Sequence, residues 1–201
     1  MLMNTAVILA GGKSNRMGFD KQFIKHRGKL IVEYQLETLK KLFGEIIIVT
    51  NKPEEYKGYD CKLVSDELPD FGPLGGIHAA LKVSNSIYSY YIACDMPFIN
   101  TEYILYMQDR LKEINTEPKA VVTRFGAWIE PFNAYYSKEL LPDIEQAYKD
   151  KQRKVSRVLD KAQILYIDEA DARRFSKDWD MFININTKED LCILKEKYKS
   201  Q

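Results

Sequence analysis

The sequence predicts a three-layer α/β/α sandwich built around a mostly parallel central sheet. Three observations carry this. Short β-rich runs alternate with stretches of helical periodicity along the chain. TAVIL at 5–9 reads as a continuous apolar run and EIIIVT at 45–50, with its apolar IIIV, as a second buried strand, as in strands covered on both faces. No Pro/Ser-rich linker, low-complexity tract or internal repeat interrupts the rhythm. Repeated β–α units need right-handed crossovers, which lay helices on both faces of a parallel sheet.

The elements follow in order. TAVIL opens the chain as a buried strand and runs into a glycine-punctuated loop from Ala10 to about Asp20. Residues 30–43 place apolar side chains at helical spacing and stop at Gly44, a candidate C-cap. Strands are predicted at 45–50, 61–64 and 88–94, the last rich in aromatic and β-branched residues. A helix over 76–83 follows a glycine-rich turn, and Thr101 caps another that runs to Lys112. Beyond it the pattern predicts strands at 119–124, 131–136 and 182–185. It predicts helices at 137–148 and 155–161, and a final one capped by Thr187 and running to Lys197.

With 201 residues, the chain suffices for one substantial core and is short for two. A single domain over 1–201 is expected. Net charge is +1, so no global field draws it onto nucleic acid or an anionic membrane. The apolar runs fall far below a membrane span, and the N-terminus lacks the basic region of a signal peptide. Cys61, Cys94 and Cys192 are dispersed without a CxxC pair, against a disulfide framework or a structural zinc site. A reducing, cytoplasmic setting is the expectation.

Open parallel sheets bind ligands at the carboxyl ends of their strands. The first strand ends in LAGGKSNRMGFDK, the third in Ser65-Asp66, and YSYYIAC in Asp95-Met96-Pro97. Gly11 and Gly12 permit close approach of backbone amides to an anion and a positive φ. Residues 11–29 hold six Lys/Arg against one acid, in a chain that is nearly neutral overall. That concentration suits a triphosphate, with Arg bidentate and Lys a compact charge; a solvated basic loop fits the same residues. The loop is neither GxxxxGK[ST] nor GxGxxG, which disfavours a P-loop NTPase and a dinucleotide-binding domain. Asp95 at a strand end suits Mg²⁺, which takes one or two carboxylates plus phosphates. A turn-forming Asp before Pro97 is the plainer alternative.

Together these residues resemble the molybdenum cofactor guanylyltransferases. LAGGKSNRMGFDK at 9–21 looks like that family's LAGG-x-S-x-RMG-x-DK signature. GPLGGI at 72–77, CDMPF at 94–98 and FININTKEDL at 182–191 continue the likeness in order. A lone LAGG is common among nucleotidyltransferases; RMG-x-DK with the terminal NINT is far more specific. The resemblance implies a Rossmann-like nucleotidyltransferase fold. It implies transfer of GMP from GTP to the terminal phosphate of molybdopterin, with Mg²⁺ and release of pyrophosphate. By position, Leu9, Ala10 and Gly11 would contact GTP, and Gly12, Arg16 and Lys21 would hold phosphates. Asn51 would border the nucleotide pocket, Asp66 would lie near the guanosine, and Asp95 would be the metal ligand. Arg16, Lys21 and Asp95 would carry the catalysis.

The resemblance assigns about 1–100 to nucleotide and metal and about 101–201 to the acceptor. Asn184 and Asn186, two apart, would face one side of a strand and bind phosphate or pterin; an Asn-rich strand end leading into a helix fits equally. Lys151, Arg153, Lys154 and Arg157 form a basic cluster, with Arg153 the candidate acceptor contact; a solvated helix entrance is the plain alternative. Glu130-Pro131-Phe132 lacks the Thr that often follows the proline in the family, which bears on the acceptor pocket. His26 and His78 have no metal-spaced partner, Cys94 reads as a small hydrophobe, and Tyr88, Tyr90 and Tyr91 read as strand residues. Transient contact with molybdoenzymes or cofactor-biosynthesis proteins would suit an unstable product. Two rival functions stay open. One is a related nucleotidyltransferase using CTP or another phosphate acceptor. The other is a non-catalytic nucleotide- or cofactor-binding protein on the same fold.

Overall fold

The computed structural model describes residues 2–11, 25–26, 29–186 and 190. Strand β1 (Thr5–Leu9) is buried throughout. A two-residue hairpin, β2 (Lys25–His26) and β3 (Lys29–Leu30), leads into α1 (Ile31–Leu39). Then come β4 (Glu45–Val49), β5 (Lys62–Val64), α2 (Pro73–Val83), β6 (Tyr88–Ala93) and α3 (Thr101–Glu113). The second half holds β7 (Ala120–Phe125), β8 (Trp128–Ser137), α4 (Leu141–Lys149), α5 (Val155–Leu159), β9 (Ile164–Asp168) and α6 (Glu169–Ala172).

The main sheet has the order β5-β4-β1-β6-β8-β7-β9. All its strands run one way except β8, which is antiparallel to both β6 and β7. Alternation along each strand sorts side chains between two cores. Ala6, Ile8, Ile46, Ile48, Tyr90 and Ile92 face α1 and α3. Val7, Leu9, Ile47, Val49 and Tyr91 face α2, α4 and α5. A central strand buried on both faces is apolar at nearly every position, which is why TAVIL shows no alternation; its buried Thr5 hydroxyl is hydrogen-bonded to Ser86 Oγ at 2.8 Å. Each fully buried Ile or Leu contributes about 1.5–3 kcal/mol.

Several sequence expectations are corrected. Strand β8 reverses direction because β7 and β8 form a hairpin, turned at Gly126 with φ +55°. Helix α1 stops at Leu39 with Lys40 as its C-cap, so Gly44 does not end it. Gly44 instead packs on Asn4, whose Oδ1 accepts its N–H at 3.0 Å; a Cβ there would lie 2.6 Å from Asn4 Nδ2. Asn100, not Thr101, caps α3, its side chain accepting from the Tyr103 N–H. A 3₁₀ turn (Lys138–Leu140) precedes α4. Strand β9 and α6 were not expected. Phe182 and Ile185 do not bound a strand: a 3₁₀ turn (Asp180–Phe182) gives way to extended chain without a ladder. The expected helix capped by Thr187 lies outside the described residues apart from Asp190.

Candidate active site

Register fixes where the strand ends meet. Leu9 stands between Val49 and Ala93, and Val49 beside Val64. The ladder runs one step further: Ala10 N–H donates to Val49 O at 2.9 Å, Cys94 N–H to Leu9 O at 3.0 Å, and Thr50 N–H to Val64 O at 2.8 Å. Ala10-Gly11, Asn51, Ser65-Asp66 and Asp95 therefore leave four adjacent strands along one edge, the convergence that sequence alone leaves unread. Asn51 is exposed there, and Ser65 Oγ donates to Thr50 O, tying two of the loops together. Gly11 is exposed, adopts no positive φ, and a Cβ on it would meet only Val49 O at 3.8 Å. The fold does not demand glycine at that position. Gly12, Arg16 and Lys21 lie outside the described residues.

The GPLGGI segment builds the start of α2. Gly72, at φ +64°, is its N-cap and Pro73 opens the helix. Here a side chain would displace its neighbours. A Cβ on Gly76 would lie 2.9 Å from Leu9 Cδ2, and one on Gly75 would overlap the Asp66 carboxylate. Asp66 is thus pressed against the first turn of α2, with Oδ1 accepting the Leu68 N–H at 2.8 Å. Burial pushes its carboxyl above the usual range; the Leu68 amide and nearby His78 pull it partly back. Its place is at the same edge, beside the end of β1.

Asp95 is half-buried on a tight turn closed by Met96 N–H to Ala93 O at 3.1 Å. Two further contacts hold that turn. Gln35 of α1, fully buried, donates from Nε2 to Ala93 O at 2.9 Å and Met96 O at 2.8 Å. The N–H of Ile185 donates to the Asp95 carbonyl at 2.8 Å. Sequence reading missed Gln35, though a signal existed: it is the polar residue among Ile31, Val32, Leu36 and Leu39 on one helical face.

The Ile185 bond brings FININ to Asp95. Asn184 and Asn186 are exposed around buried Ile185, so they share a side of extended chain even though no strand forms. Asn186 N–H donates to the Asp190 carboxylate at 2.7 Å. Helix α4 rises from the opposite edge, and Tyr148 near its end packs edge-on against Phe71, 5.0 Å between centroids. The exposed Lys151, Arg153 and Lys154 follow directly after α4. Arg157 pairs with Asp160 at 3.4 Å. On the α1/α3 side, an open cleft of about 500 Å³ lies just beyond Asp95, lined by Tyr34, Phe98, Asn100, Phe175, Asp178 and Met181 among others. The two candidate acceptor contacts on the FININ segment and Arg153 thus lie on different elements.

Residues set aside as structural are so placed. His78 is buried, 3.4 Å from Glu145 across the α2–α4 contact. Tyr90 OH donates to Asn133 Oδ1 and Tyr91 OH to Ile77 O, both inside the cores. Glu130 precedes and Pro131 lies within a break in the β7–β8 register, where Asn133 takes φ +57° and donates from Nδ2 to Met181 O. The side chain of His26 lies outside the described residues.

Among the described residues no three His, Cys, Asp or Glu side chains stand together as a metal cluster. A cation at this edge would take Asp95 as a single hard-oxygen donor and complete its shell from phosphates, a division that suits Mg²⁺. No helix among the described residues is long and apolar enough to cross a membrane.

Comparison with known proteins agrees with this geometry. The family model of the MobA-like NTP transferase domain matches residues 6–165. A molybdenum cofactor guanylyltransferase of Syntrophotalea carbinolica is 47% identical over 201 residues, covering 100% of this chain and 93% of its own. A probable molybdenum cofactor guanylyltransferase of Peptoclostridium acidaminophilum is 47% identical over 94% of this chain and 87% of its own. Among solved structures, molybdopterin-guanine dinucleotide biosynthesis protein A of Archaeoglobus fulgidus superposes with a TM-score of 0.83 at 25% identity, covering 98% of this chain and 100% of that one.

Proposed function

The chain belongs to the MobA-like NTP transferase family, and from that premise we propose that it transfers GMP from GTP to the terminal phosphate of molybdopterin. The product is molybdopterin guanine dinucleotide, and pyrophosphate is released. The observation that carries this reading is the joining of Asp95 to the FININ segment at the edge where β1 ends. One place then holds a carboxylate for phosphate-bound metal, the start of the basic loop and a pair of exposed amides.

A phosphate oxygen of the pterin attacks the α-phosphorus of GTP. A new P–O–P bond forms and the α–β bond breaks. A phosphate monoester, with a second pKa of about 6, is already ionised at neutral pH, so no general base is needed. The protein's work is positioning and charge. Leu9, Ala10, Gly11 and Gly12 bring backbone to the nucleotide, Asn51 and Asp66 border its base and sugar, and Arg16 and Lys21 offset charge on the phosphates and leaving pyrophosphate. Asp95 would hold Mg²⁺, which when bound supplies charge neutralisation on the phosphate oxygens. Arg153, Asn184 and Asn186 receive the acceptor. Residues about 1–100 thus serve nucleotide and metal and about 101–201 the acceptor, within one domain. A cytoplasmic setting and transient handover to molybdoenzymes or cofactor-biosynthesis proteins complete the reading.

The test is incubation of purified protein with molybdopterin, Mg²⁺ and either GTP or CTP, following pyrophosphate and the dinucleotide product. GTP-dependent release is expected. Preference for CTP would sink the guanylyl assignment, and no release with either nucleotide would favour a binding protein.

A further inference from the structure

We propose that Gln35 is a positioning residue for the transfer reaction, holding the Asp95 turn in place from beneath. The inference rests on the reading of Asp95 as the carboxylate that works on the nucleotide's phosphates.

Gln35 occupies the apolar face of α1 and is fully buried. For packing alone, an unbranched apolar side chain of similar size would serve without desolvating an amide. The amide is instead spent on one target. Its NH₂ group has two donors, and both are used, on Ala93 O and Met96 O. These carbonyls lie two residues before and one residue after Asp95, at the ends of the turn closed by Met96 N–H. Gln35 Oε1 accepts nothing among the described residues. The side chain therefore satisfies the turn more fully than itself, which is unexpected of a residue kept for the fold.

The consequence is a carboxylate on a rigid mount. The chain through Asp95 is fixed by β1 through Cys94 N–H, by FININ through Asp95 O, and by α1 through Gln35. Reacting groups must be held within about 0.5 Å of the productive geometry, and a misplacement of about 1 Å costs on the order of a hundredfold in rate. Helix α1 directly follows β3, so the element that clamps the Asp95 turn is joined in sequence to the β2–β3 pair.

The experiment compares wild type with Gln35→Met, which keeps the volume and loses both donors, and Gln35→Asn, which keeps donors on a shorter stem. Thermal unfolding, steady-state kinetics with GTP, and amide hydrogen exchange are read on the full chain. Gln35→Met is expected to melt within a few degrees of wild type and to keep KM for GTP within about twofold. Its kcat should fall by about tenfold to a hundredfold, with Gln35→Asn between. Exchange at Met96 and Ile185 should quicken while exchange at Ile47, in the central sheet, stays unchanged. Wild-type kcat or unaltered exchange at Met96 and Ile185 in both variants overturns the proposal; so does loss in which kcat, melting temperature and Ile47 protection fall together in both. Exchange is measured without substrates, so it tests the clamp even if wild type proves inactive with GTP and molybdopterin, a result that would overturn only the functional reading.

Discussion

The amide of Ile185 donates to the carbonyl of Asp95 at 2.8 Å, a contact between residues ninety apart in sequence that welds the end of the described chain to the turn after β6. It sets the exposed Asn184 and Asn186 on either side of a buried anchor. The proposed acceptor and metal sites therefore share one backbone hydrogen bond.

Asp95→Ala removes the proposed cation ligand while leaving the backbone bonds of its turn intact. Charge stabilisation by a metal is worth several kcal/mol, so kcat is expected to fall by at least about a thousandfold, with thermal stability little changed. Lys21→Ala is expected to cut turnover comparably by removing charge from the phosphates. A pyrophosphate-release assay on both variants checks this; wild-type turnover in either one removes that residue from the mechanism.

Gly75 is held at glycine by Asp66. Gly75→Ala places a methyl group in the carboxylate's space, and such overpacking costs about 1–3 kcal/mol. Asp66→Ala empties that space, so the double variant should recover part of the loss. Urea unfolding of the four proteins yields the coupling energy. Additive effects would show that the α2 turn and Asp66 do not press on one another.

Asp66 also sets a pH dependence. Burial raises its folded-state pKa above the ordinary 3.8. A raised carboxyl pKa means that the folded state binds more protons in that window, so this group's favourable contribution is present below 3.8 and is lost as pH rises through the folded value. Asp66→Asn removes the ionisation. The stability of Asp66→Asn relative to wild type should therefore rise between acid and neutral pH. Chemical denaturation at pH 3.5 and pH 7 measures the difference; a constant offset would show that Asp66 titrates normally.

The buried half of the fold was legible because the central strands carry apolar residues on both faces, and TAVIL and IIIV are of strand length and rich in β-branched residues. Strand β9 was not legible. It is a half-exposed edge strand, and ILYID shows neither full burial nor clean alternation. The reversal of β8 depended on a tight turn at Gly126 between exposed residues, where hydrophobic pattern carries no signal. At the site, the strand-end residues were readable from chemistry and from family likeness. Local spacing marked Gln35 as a polar residue on the apolar face of α1, but not its target, because the carbonyls it binds lie about sixty residues away. The two-residue spacing of Asn184 and Asn186 gave their shared exposure correctly, although the strand assumed for it does not form.

Arg153 and Asn184 lie on different elements, and this separates their expected effects. Arg153 is exposed after α4, with no ion pair to the described acids. A charge-assisted bond to a phosphate contributes about 1.5–3 kcal/mol, or roughly ten- to a hundredfold in affinity. Arg153→Ala should therefore weaken molybdopterin binding by that factor and leave GTP affinity unchanged. Asn184→Ala sits one residue from the Ile185 anchor, so a moderate loss in acceptor affinity accompanied by a fall in kcat is expected. Titrations with each substrate, on both variants, decide the matter. Weaker GTP binding in Arg153→Ala would move that residue to the nucleotide, and unchanged acceptor binding in both would place the pterin elsewhere, with the cleft beside Phe98 the next region to probe.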